Sequence, residues 1–275
     1  MSLLIRNLLF PPVCVGCRAL LKVPDYRREA SVFCPACAEK WRQETEEVCG
    51  ICLRPVGECL CVTDAMQAAH IPLFRKLAYY RHGVREPVQN RMIYRIKAAR
   101  DRRTVAAFAD ELAKCVPELL ALTGWNAGSC ALVWLPRGEE NRLKTGTDQA
   151  RELAGAISAR TGIPAVGLME RLPGGSREQK ALGVAERKRN AAASFRLSGR
   201  VSLPSSAHLI LVDDIVTTGA SMAAAAKLLR RAKFEAPVAL AALSDDANRT
   251  GNEKQPVIDL KSEGNLYADR RSGTT

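Results

Sequence analysis

From Leu209 to Ser221 the chain reads LILVDDIVTTGAS. Two adjacent carboxylates, Asp213 and Asp214, follow an apolar run. Thr217, Thr218, Gly219 and Ser221 come next, and then SMAAAAKLLRR, a run of strong helix formers with basic residues at its end. Each part has a chemical use. A helix N-terminus exposes unpaired N–H groups and a partial positive charge, so it holds phosphate. A glycine lets the backbone approach an anion, and three hydroxyls add donors. The carboxylates would repel a bare phosphate. Because they only accept hydrogen bonds, they suit a diol on the same ligand. The pattern therefore points to a phosphorylated sugar with a free diol, with Mg²⁺ on its more anionic part. The plainer alternative is a set of N-capping residues on an ordinary strand-to-helix turn.

A second group of reactive side chains lies near the start. Eight of the ten cysteines form Cys14-x2-Cys17, Cys34-x2-Cys37, Cys49-x2-Cys52 and Cys59-x-Cys61. Thiolates paired at this spacing suit tetrahedral four-cysteine zinc sites. Four pairs make two sites, whether paired sequentially, which we favour, or cross-braced. No ligand position is left open, so the metal would be structural. Disulfides would require an oxidising compartment, and an iron–sulfur cluster would use the same ligand type. Cys115 and Cys130 stand apart and read as core thiols.

Cations form the third group. Arg75 to Arg103 holds ten Lys or Arg against Glu86 and Asp101. With Tyr79, Tyr80 and Tyr94 nearby, Arg91, Arg95, Lys97, Arg102 and Arg103 are candidates for single-stranded nucleic acid. A solvated helix face, or a basic wall for a pyrophosphate, explains the same residues. No residue stands out as a general base.

Certain elements must position these groups. Leu209–Val212 reads as a strand buried on both faces, with a loop over 213–220. Leu77–Arg81 reads as an edge strand and 83–115 as helix with a break near Asp101. Cys130–Pro136 is a strand, and Thr147 is expected to cap the next helix. PAVGLME resumes the strand pattern, 171–190 reads as a mobile cover, and Val238–Leu243 closes the sheet. Alternating strands and helices imply an α/β fold with a doubly wound parallel sheet. We expect a cysteine-rich zinc-ribbon domain at 1–68, a main domain at 69–244 and a polar, disordered tail at 245–275. The 275 residues are 47% hydrophobic and 25% charged with net charge +12, which excludes a disordered chain and favours polyanionic partners. No apolar run reaches the roughly 20 residues needed to span a bilayer. MSLLIRNLLFPPVC lacks the features of an export signal, reads as a helical turn packed on the cysteine-rich domain, and gives a cytoplasmic expectation.

VDDIVTTGAS resembles the phosphoribosyl pyrophosphate (PRPP) motif of type I phosphoribosyltransferases. That resemblance places Asp213 and Asp214 on the ribose hydroxyls and 217–221 around the 5′-phosphate. Arg137 and Arg142 would reach the pyrophosphate, with Lys180 and Arg187 closing over it. A cysteine-knuckle segment before such a core resembles the ComF family of competence-associated proteins. LLFPPVCVGC, YYRHGVREPVQNRMIYRIKAARD and QKALGVAERKRNAAASF carry this likeness. It places Lys97 at the family's lysine, with Arg100-Asp101 here in place of the family's Gly-Asp. The resemblance implies one or two structural Zn²⁺, Mg²⁺ with PRPP, and phosphoribosyl transfer linked to DNA uptake. The alternative is a non-catalytic protein binding single-stranded DNA or DNA-uptake proteins, with a regulatory or vestigial PRPP pocket.

Overall fold

A computed structural model describes residues 5, 8–21, 31–98, 101–138, 146, 148–172 and 195–245. Its centre is a parallel five-stranded sheet in the order β1-β7-β6-β2-β3. The strands are β1 Phe74–Tyr80, β2 Cys130–Trp134, β3 Ala165–Val166, β6 His208–Val216 and β7 Val238–Asp245. β4 Met169–Arg171 and β5 Phe195–Leu197 form a separate antiparallel pair. The helices are α1 Pro35–Glu46, α2 Val88–Ala98, α3 Arg102–Thr123, α4 Gln149–Thr161 and α5 Ala220–Arg231, with a single turn at Asp64–Gln67.

The period-two alternation of each strand divides the core into two layers. Leu132, Ile210, Val212, Val238 and Leu240 face one side, packed with residues of α1, α2, α3 and α4. Ala131, Val133, Leu209, Leu211, Ala239 and Ala241 face the other, packed with α5, the turn at Asp64–Gln67 and the β4–β5 pair. Helices on both faces explain why Ala131–Val133, Leu209–Val212 and Val238–Leu243 are apolar throughout. Cys14, Val15, Cys37 and Trp41 belong to the first layer, so the cysteine-rich segment shares this core.

Sheet order fixes where a ligand would bind. The chain leaves β2 through α4 to reach β3 on one side. It leaves β6 through α5, on the opposite face, to reach β7 on the other side. The carboxyl ends of β2 and β6 therefore flank a topological switch point, the usual crevice for ligands in open α/β sheets.

Several elements differ from the sequence expectation. The strand carrying the acid pair runs on through Asp213 to Val216, because β7 supplies partners beyond Val212: Asp213 pairs with Ala241, Ile215 with Leu243 and Val216 with Ser244. The pairing of β6 with β2 ends at Val212. β7 lies between β1 and β6 rather than at the border. The first strand is at the edge as expected but begins at Phe74. PAVGLME splits into β3 and β4 at Gly167, where a Cβ would stand 2.8 Å from the Trp134 ring. The helical break falls at Asp101, whose carboxylate caps α3 by accepting from the Arg103 and Thr104 N–H groups. Asp148, not Thr147, caps α4, because its carboxylate reaches the Arg151 N–H. Leu8, Leu9 and Phe10 are 80%, 62% and 72% exposed. They do not pack on the cysteine-rich segment, where backbone bonds from Leu21 N to Pro12 O and Cys14 N to Ala19 O close the chain on itself. The expected cover at 171–190, beyond Leu172, and the tail after Asp245 lie outside the described residues. Among the described residues no helix is long and apolar enough to cross a membrane.

Leu132 is fully buried in the central layer. Leu132→Ala is expected to lower unfolding free energy by about 2–5 kcal/mol, measured by urea denaturation at fixed zinc. A loss below about 1 kcal/mol would show that the first layer is not closely packed.

Candidate functional site

Asp214 is the meeting point of three elements. Its Oδ2 lies 3.1 Å from Arg137 Nη2, which comes from the end of β2. Lys97 Nζ, from the last turn of α2, is 3.8 Å from the same oxygen. Its Oδ1 accepts from the Ile215 N–H at 3.0 Å. Asp213 Oδ1 accepts from the Asp214 N–H at 2.8 Å. Burial, then the adjacent Asp214 charge, push the Asp213 carboxyl well above the ordinary carboxylate range.

Asp148 closes the crevice on the β2 side. Its Oδ2 accepts from the Arg137 N–H at 3.3 Å, and burial raises its pKa. Buried Gln149 donates from Nε2 to the Ile96 carbonyl at 3.3 Å, which ties the start of α4 to the end of α2 beside Lys97. On the other side β6 gives way to Thr217 and Thr218, both exposed, and Gly219, with φ of 76°. Gly219 is the N-cap of α5 and makes no side-chain cap bond. Ala220 N lies 3.4 Å from Thr218 Oγ1. Ser221 is half-buried in the first turn. Acids near a strand end thus precede, by one short turn, a helix N-terminus with its partial positive charge.

The eight cysteines gather into two groups, Cys14/Cys17/Cys34/Cys37 and Cys49/Cys52/Cys59/Cys61, each with all sulfurs within 4.8 Å of one another. This is the sequential pairing. Cys17 and Cys34 sulfurs are 3.7 Å apart, close to the roughly 3.8 Å edge of a tetrahedron with Zn–S bonds near 2.3 Å. Donors converge on these sulfurs. Cys14 Sγ accepts from the N–H groups of Gly16, Cys17 and Cys34 at 3.3, 3.4 and 3.3 Å. Arg91 Nη2 lies 3.7 Å from Cys37 Sγ. Lys76 Nζ, almost fully buried, lies 3.1 Å from Cys59 Sγ and 3.2 Å from the Cys61 carbonyl. The bare thiols divide. Burial opposes ionisation of Cys14, but backbone donors bring its pKa down to about 7. Burial and neighbouring sulfurs push Cys37 up to about 12. Sulfurs this close cannot all ionise alone, whereas a divalent cation lets all four do so. Both donor sets fit a metal.

The five cations considered for nucleic acid have separate positions. Arg91 donates to the Gly16 carbonyl at 2.7 Å, Arg95 to the carbonyls of Cys14 and Val15, and Arg103 to that of Val13 at 3.0 Å. These three arginines hold the first knuckle to α2 and α3. Lys97 is at Asp214, and Arg102 is exposed. Arg142, Lys180 and Arg187 lie outside the described residues.

Sequence reading missed Thr63, Lys76, Asp148 and Gln149. A cation inside the apolar run FRKLAYY and an acid directly before a helical pattern were the available signals.

Residues 150–267 match the family model of the phosphoribosyl transferase domain. That segment spans α4, β6, the acid pair, the 217–221 turn and β7. Lys97 and Arg137 reach the crevice from outside it. No curated protein matches the chain.

Asp213 carries a pH signature. A carboxyl whose folded pKa is raised costs stability as pH climbs from its unfolded value through its folded one. Asp213→Asn is therefore expected to raise the melting temperature near neutral pH without Mg²⁺. The gain should vanish below about pH 4, where the unfolded carboxyl is protonated too. Thermal unfolding across pH checks this; an equal shift at every pH would contradict it.

Proposed function

We propose that the crevice between the ends of β2 and β6 binds PRPP and supports phosphoribosyl transfer. The observation that carries this is the placement of Asp213–Asp214 a short turn before a helix N-terminus whose N-cap is glycine, with Arg137 and Lys97 converging on Asp214 from other elements. Thr217, Thr218, Gly219 and Ser221 take the 5′-phosphate, with backbone N–H groups of α5 as donors. Asp213 and Asp214 accept from the ribose hydroxyls. Arg137 and Lys97, held at Asp214 in the free protein, supply positive charge toward the pyrophosphate. Mg²⁺ bound together with the substrate would help neutralise the leaving charge.

The reaction breaks the bond from the anomeric carbon to pyrophosphate and forms one to a nucleophilic acceptor. Positive charge develops on the sugar, where carboxylates stabilise it. Calorimetric titration of Mg²⁺–PRPP is expected to show one site per chain. Asp214→Asn should weaken it by roughly 10–100-fold, the value of one charge-assisted hydrogen bond. Pyrophosphate release with an acceptor panel then tests turnover. No heat with PRPP and Mg²⁺ would refute the reading.

The two cysteine groups hold structural zinc. Each knuckle pair supplies four thiolates, and the buried Lys76 and Arg91 offset their charge. With few apolar side chains in the segment, metal contributes much of its folding free energy, on the order of 10 kcal/mol per site. Elemental analysis is expected to give two zinc ions per chain, falling to one in Cys17→Ser and in Cys52→Ser. Metal-free folded protein with oxidised thiols would overturn this assignment.

A further inference from the structure

We propose that Thr63 is a positioning residue for the phosphate-binding turn, and that through it the second cysteine group holds the wall of the pocket. Thr63 lies two residues beyond Cys61 and is buried. Its Oγ1 donates to the Thr218 carbonyl at 3.0 Å. The same oxygen accepts from the Met66 N–H at 3.3 Å, capping the turn at Asp64–Gln67. One hydroxyl thus uses its proton on the 217–219 turn and a lone pair on its own segment, so its rotamer is fixed from both sides.

Gly219 shows how closely the two segments meet. A Cβ there would stand 2.1 Å from Thr63 Oγ1 and 3.0 Å from Met66 Cγ. With φ of 76°, the position also favours glycine on backbone grounds. The glycine of the turn is therefore required twice: once for its left-handed conformation and once for the close approach of Thr63.

The base of this contact is the second cysteine group. Lys76 on β1 bridges Cys59 Sγ and the Cys61 carbonyl. Phe74 N donates to the Leu60 carbonyl at 3.2 Å. Residues 59–61 are thereby fixed to the edge strand, and Val62 alone separates them from Thr63. A metal bound by Cys59 and Cys61 would fix the point from which Thr63 reaches Thr218. Met66, fully buried, adds an apolar contact in the layer that also contains the inner face of α5.

The inference rests on reading the 217–221 turn as the phosphate cradle, and the test keeps the two apart. Amide hydrogen exchange over residues 218–220 is compared in the full zinc-loaded chain and in Thr63→Ala, Thr63→Ser and Cys61→Ser, alongside calorimetric titration with Mg²⁺–PRPP. Thr63→Ala should speed exchange in the turn and weaken PRPP by roughly tenfold each, the worth of one such hydrogen bond. Zinc content should stay at the parent value. Thr63→Ser keeps the hydroxyl and should restore both readouts. Cys61→Ser should lose one zinc and loosen the same amides. If it fails to fold, Thr63→Ala decides. Parent-like exchange in Thr63→Ala would overturn the proposal even if PRPP binds. A parent chain that ignores PRPP but shows the Thr63-dependent exchange would sink only the phosphate reading.

Discussion

Everything at the crevice depends on keeping two adjacent carboxylates ionisable at the end of a buried strand. Left alone, the pair would suffer both desolvation and mutual repulsion. Asp214 is compensated by Arg137 and Lys97, brought from β2 and α2. Asp213 is not compensated to the same degree, and its raised pKa records the difference. Such strain is expected at a site selected for binding rather than for stability. The acid pair therefore ties together elements far apart in sequence: α2, the end of β2 and β6 must all be in place before the pocket has its charge.

That requirement gives the cysteine-rich segment a role beyond its own folding. α2 carries Lys97 at one end, and its Arg91 and Arg95 are anchored on carbonyls of Cys14, Val15 and Gly16. The first cysteine group thus sits against the helix that delivers Lys97. The second sits against β1 and the segment leading to Thr63. A knuckle held by metal is a rigid object built from few residues, which suits bracing a pocket better than solvating a surface. Three of the arginines in 91–103 have the same origin: Arg91, Arg95 and Arg103 satisfy knuckle carbonyls.

Local patterns were legible in the sequence. The apolar run before Asp213, the knuckle spacings and the break at Asp101 each depend on residues a few positions apart, and each appeared where expected. Quantities set by long-range pairing were not. β6 extends through Asp213 to Val216 because β7 continues alongside it, and nothing in 213–216 alone specifies that partner. The same applies to Lys97. On its own helix it looks like one cation among many, and only sheet order and the Gln149–Ile96 bond bring it to Asp214. Thr63 was illegible for a third reason: its function is a contact with Thr218, 155 residues away.

The composition of α5 completes the pocket physically. Ala223, Ala224, Ala225 and Ala226 are all buried, in the layer that also holds Met66 and Phe195. Side chains this small let neighbouring elements come close, and α5 packs against the turn at Asp64–Gln67 and against β5. The turn between β6 and α5, 217–219, is only three residues. A three-residue reversal of this kind needs one left-handed position, met by Gly219. Glycine carries no side chain to cap the helix; the Ala220 N–H is met by Thr218 Oγ1, and the N–H groups that follow it in the first turn are left to a ligand in the proposed site. The short turn and its glycine thus set a strand end close to a helix start, the arrangement on which the proposed phosphate site rests.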